Sequence, residues 1–161
     1  MSVTRNITAT YRGPGRVLRG MLSAGPREDR ALAYLMAACL IVFVAQMPKL
    51  AREAFLTGQD LDMLLGASLL GWLFIAPLLF YAIAGLSHWI ALLVRGRGTH
   101  YGARLALFWA LLASSPLMLL HGLVAGFIGP GIQLQSVGLV WLAVFLWFWI
   151  RGLIAAEGGQ S

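Results

Sequence analysis

Four long apolar stretches, parted by short polar or basic breaks, set the pattern of the chain. They run from Ala31 to Met47, Leu61 to Val94, Gly102 to Ile128 and Ile132 to Ile154. At 1.5 Å per residue the first makes a helix of about 26 Å, close to the ~30 Å hydrocarbon core of a bilayer. Helices are therefore predicted over about 31–48, 61–94, 102–128 and 132–154. Pro48 and Lys49 mark the exit of the first. Beyond them Leu50, Ala54 and Phe55 alternate with charges as far as Gly58, a predicted helix stop, and Asp60 is a predicted cap for the next helix.

The second stretch would be about 51 Å long as one helix, far more than a bilayer needs. Two spans with no polar turn between them would strand backbone donors in lipid. One long helix, tilted or kinked at Pro77, is the expectation. In the third stretch Pro116 follows Ser114 and Ser115. A second kink is expected there, because proline frees a backbone carbonyl that nearby serines can satisfy. Gly129-Pro130-Gly131 is a turn. The fourth stretch ends in Trp147-Phe148-Trp149 before Arg151, an interfacial aromatic belt with a basic stop. Residues 155–161 read as a short polar tail.

Ahead of the spans, residues 1–30 form a basic lead-in, broken by Gly13-Pro14-Gly15. Over 16–23, Val17, Leu18, Met21 and Leu22 share one face and Arg16 and Arg19 another. This short amphipathic helix suits an anionic membrane surface. Pro26, Glu28 and Asp29 fit the start of the first span. The fold class expected is all-α: a polytopic bundle of about four spans over 31–154 behind a short amphipathic segment.

Composition agrees. The 161 residues are 60% hydrophobic and only 11% charged, where a soluble domain is about a quarter charged. The net charge of +6 does not point to nucleic acid, because the arginines sit at the ends of apolar runs and not in one stripe. Six arginines precede the first span, three lie between the second and third, and Arg151 follows the fourth, against Lys49 and Arg52 on the other side. The positive-inside rule then places both termini in the cytoplasm. The lone Cys39 can form neither an internal disulfide nor a cysteine metal site, and reads as a small helix- or lipid-facing residue.

Ionisable groups within the spans are the default functional candidates. His88 and His121 qualify. Counted from the basic loop they differ in depth by about 15 Å, too far to hold one haem, and a proton path through both would lack buried carboxylates. Each is expected to bond to a neighbouring helix. Gly122 with Gly126, and Ala67 with Gly71, are candidate helix-packing pairs of the small-xxx-small type. Arg16, Arg19, Arg95 and Arg97 are candidate contacts for lipid headgroups. No Walker loop, metal-binding histidine pair or nucleophile elbow occurs, so no catalytic residue, metal or cofactor is expected.

The helix reading Tyr101-Gly-Ala-Arg104-Leu-Ala-Leu-Phe-Trp-Ala110-Leu-Leu-Ala-Ser-Ser115-Pro116 follows the basic loop Arg95-Gly-Arg-Gly-Thr-His100. With the weakly amphipathic N-terminal region, it resembles bacterial members of the Ypt-interacting-protein (Yip) family, where a basic loop leads into a helix ending in small-small-Pro. The resemblance covers roughly residues 10–155. It implies a multi-spanning scaffold of the bacterial inner membrane with no known catalysis. Family members are usually described with five spans, which makes five an alternative to four. Eukaryotic relatives associate with Rab-type GTPases and with membrane traffic, and this sequence departs from them in lacking their long cytosolic domain. The function expected is a scaffold or membrane-organising protein. It would act on the lipid bilayer, on a membrane-protein partner or on a second copy of itself. A small transporter or channel using the histidines, and an accessory subunit of a respiratory or photosynthetic complex, are the alternatives.

Overall fold

A computed structural model describes residues 2–158, so the last three residues of the expected 155–161 tail lie outside it. The described chain is helical throughout, with no strand: α1 (Val3–Thr10), α2 (Pro14–Leu22), α3 (Glu28–Thr57), α4 (Leu61–Leu70), a π turn (Gly71–Ile75), α5 (Ala76–Leu93), α6 (His100–Ala113), α7 (Ser115–Phe127) and α8 (Ile132–Glu157). Three helical rods are long and apolar enough to cross a membrane: α3, α4 through α5, and α8. The pair α6–α7, bent by 45°, supplies the fourth. The fold is an all-α bundle of about four membrane spans.

The first helix runs on past Pro48, where the apolar stretch exits, to the predicted stop at Gly58. That proline lies inside α3, which continues to Thr57 and closes on Gly58 in the left-handed conformation (φ 70°). Asp60 then caps α4, its carboxylate accepting from the Asp62 amide. The second span is one rod of 33 residues. It continues through Pro77 as one rod, with a π turn at Gly71–Ile75 ending two residues before the proline. The proline ring would clash with the carbonyl four residues back, and the wider π turn relieves the crowding.

The break at Pro116 is real and its backbone is accounted for. Proline has no amide to offer the Leu112 carbonyl, so the Ser115 hydroxyl donates to that carbonyl at 2.6 Å, and Ser114 donates to Leu111 at 3.1 Å. Leu117 bonds back to Ser114, which leaves the Ala113 carbonyl to accept from the Tyr11 hydroxyl at 2.8 Å.

Helix α6 is the axis of the molecule. From Tyr101 to Ala113 every residue except Arg104 is buried, and α3, α5 and α8 pack around it. The N-terminal segment covers the remaining flank. It is a helical hairpin, α1–α2, and not a single helix lying free on a surface. Leu18 and Met21 are buried in the main core, so the apolar face of α2 is spent on α8 and α6. Thr10 accepts from the indole N–H of Trp109 at 3.0 Å, while its own hydroxyl donates to Asn6. The ring of Tyr11 meets Phe148 edge-on.

The spans alternate in direction. Glu28 pairs with Arg104 at one end, and Arg52 reaches the Gly126 carbonyl at the other. One end therefore gathers the starts of α3 and α6 and the ends of α5 and α8, and the hairpin packs from this end along α6 down to Ala113. This end carries ten of the twelve lysines and arginines and is called the basic end below.

Candidate functional site

The basic end holds a buried polar cluster that the sequence did not announce. Glu157, the last residue of α8, is only 8% exposed. One carboxylate oxygen lies 2.8 Å from His88 Nδ1, and the other accepts from the Gly98 amide at 2.9 Å. Its backbone carbonyl accepts from the Arg97 amide at 2.9 Å. A single residue thus ties the end of α8 to α5 and to the α5–α6 loop. The His88 ring also packs on His100, with centroids 4.2 Å apart.

Glycine makes this approach possible. A Cβ on Gly96 would lie 2.7 Å from the Glu157 carboxylate and 2.8 Å from the Ala91 carbonyl. One on Gly98 would overlap the same carboxylate and the Ala156 carbonyl. The Arg-Gly-Arg-Gly sequence is therefore a loop pressed against a helix end, with its arginines directed outward.

The sequence reads 155–161 as a short polar tail and a proton path through the histidines as lacking buried carboxylates. Glu157 corrects both points. One signal in the sequence could have marked it. A carboxylate in the last turn opposes the helix dipole, so a lone acid at the end of an apolar helix implies a specific partner. His121 differs from His88. It packs on Gly138 of α8, but its Nδ1 is buried without a hydrogen-bond partner, so the expected bond to a neighbouring helix is absent there. Gly138 and Glu157 are 19 positions apart on α8, so the two histidines sit about 28 Å apart along it.

The small-residue pairs divide in the same way. Gly122 and Gly126 face α3 so closely that a Cβ on either would overlap backbone, at Ala45 and at Pro48 respectively. Ala67 and Gly71 do not form such a contact: Ala67 is exposed, and nothing lies within 4 Å of a Cβ on Gly71. They face outward from α4, because α3 meets this rod along another side.

The four candidate arginines are all exposed but are not one patch. Arg16 joins Arg5 and Arg12 around a shallow cleft of about 420 Å³ on the outside of the hairpin. Arg19 and Arg97 share a cleft of about 570 Å³ with Ser23 and Thr99, between α2 and the start of α6. Arg95 stands at a third cleft, of about 530 Å³, whose walls are the ends of α5 and α8. Among the described residues no three metal-ligating side chains converge. Cys39 is fully buried.

The chain matches no family model, no curated protein and no solved structure.

Proposed function

We propose that this protein is a scaffold or membrane-organising protein of a bacterial inner membrane. It acts through contacts with lipid and with other membrane proteins, without catalysis, in the manner the Yip resemblance implies. The basic end faces the cytoplasm, with both termini on that side, as the positive-inside rule requires.

The observation that carries this reading is the docked N-terminal hairpin. Leu18 and Met21 are buried in the core, and the Tyr11 and Thr10 hydroxyls are used on Ala113 and Trp109. What it presents outward is a row of arginines: Arg5, Arg12 and Arg16 on one side and Arg19 on the other. Cationic side chains next to an anionic leaflet contribute about 1 kcal/mol each. A hairpin held rigid by the bundle offers them without further ordering cost. The transporter reading is less well supported, because the two histidines are separated by about 28 Å of apolar helix.

Purification in mild detergent followed by native mass spectrometry tests the proposal. Recovery of the chain with bound phospholipid, with a protein partner or as a defined oligomer is expected. A bare monomer would contradict it. Proton or solute flux in liposomes that disappears in the His88→Ala, His121→Ala double variant would favour the transporter instead.

A further inference from the structure

The third cleft opens sideways, between the ends of α5 and α8, toward the space that lipid occupies. Its walls include Ile90, Val94, Ile150 and Ile154, all more than half exposed. Its volume of about 530 Å³ is within the usual range for a small-molecule site. Its headgroup end is polar in a defined way. Glu157 lines it, but the carboxylate oxygens are turned to His88 and Gly98, so the acid is largely spent inside the protein. The free charge at the mouth is Arg95.

Arg95 has a second peculiarity. It is the one non-glycine among the described residues with a positive φ, at 68°. A left-handed backbone disfavours an ordinary side chain and is held only where surrounding structure enforces it. Glycine would do the same turn without strain, as it does at Gly58. Here a strained arginine stands at the mouth of an apolar cleft, and among the described residues no carboxylate pairs with it.

We infer that this cleft binds one glycerophospholipid from the cytoplasmic leaflet. Its phosphodiester is held by the Arg95 guanidinium, and one acyl chain lies between α5 and α8 over Ile90, Val94, Ile150 and Ile154. Charge complementarity selects the phosphate, and the apolar walls select the chain. The inference rests on the reading that this protein works through lipid contacts, and it names the lipid class and the place.

The backbone supplies the test. Arg95→Gly removes the guanidinium and relieves the φ, so the variant folds at least as well as the parent. Ile154→Trp fills the cleft from its exposed wall without touching the core. Lys49→Gln, exposed at the opposite end of the bundle, is the control. The full chain is reconstituted in phosphatidylcholine nanodiscs doped with phosphatidylglycerol or phosphatidylethanolamine, extracted in mild detergent, and read by native mass spectrometry. One phospholipid per chain is expected for the parent and for Lys49→Gln. Retention should fall about tenfold in Arg95→Gly, the loss of one charge-assisted hydrogen bond, and similarly in Ile154→Trp. Parent-like retention in both variants would overturn the cleft assignment while leaving the lipid reading intact. A parent that retains no phospholipid would overturn the lipid site, and one that is also a bare monomer would overturn both.

Discussion

At the scale of single residues, side chains that are small or polar in an apolar chain carry most of the specificity. Gly122 is the clearest case. A side chain there would run into the Ala45 carbonyl, which belongs to a helix backbone and cannot swing aside. Overpacking of this kind costs about 1–3 kcal/mol. Gly122→Leu is expected to lower the thermal midpoint in detergent markedly, while Gly71→Leu, which meets open space, leaves it nearly unchanged. Glu157 is the second case. Glu157→Ala leaves His88 and the Gly98 amide without their acceptor, at a cost of about 1–3 kcal/mol. Glu157→Gln keeps a carbonyl oxygen for one of them, so it should lose less stability than the alanine variant in the same thermal assay.

At the scale of elements, the hairpin and the proline break are one construction. Pro116 interrupts α6–α7, the break exposes the Ala113 carbonyl, and Tyr11 closes it. Tyr11→Phe removes this bond and is expected to cost about 1 kcal/mol. Leu18→Ala, at a site 1% exposed, should cost about 2–5 kcal/mol and loosen the hairpin. Limited trypsin digestion checks both, with faster cleavage at Arg12, Arg16 and Arg19 than in the parent. The spans were legible in the sequence because hydropathy over some twenty residues records the solvent directly. The serine compensation at Pro116 was legible for a similar reason, since the missing amide and the nearby hydroxyls are local facts. The hairpin was not. The helix from Val3 to Thr10 is only eight residues long and rich in β-branched Val, Ile and Thr, which are weak helix formers, and the amphipathic face around Leu18 suits a membrane surface and a protein surface equally. Only long-range packing against α6 and α8 decides between them.

At the scale of the whole molecule, arginine placement and helix direction describe the same object. Ten basic residues gather at one end of an alternating bundle. The histidine separation along α8 follows from that alternation. The Glu157 cluster does not, because its partners are 59 and 69 positions away in sequence, and no periodicity links them. An even number of spans is the central claim. It is tested most directly by thiol labelling in sealed membrane vesicles of known orientation, in a Cys39→Ala background with single cysteines at Thr8, Arg97, Gln59 and Gln133. Thr8→Cys and Arg97→Cys should react with an impermeant maleimide from the cytoplasmic face only, and Gln59→Cys and Gln133→Cys from the opposite face only. Labelling of Arg97→Cys from the same face as Gln59→Cys would contradict the four-span account and the shared basic end on which the lipid site depends.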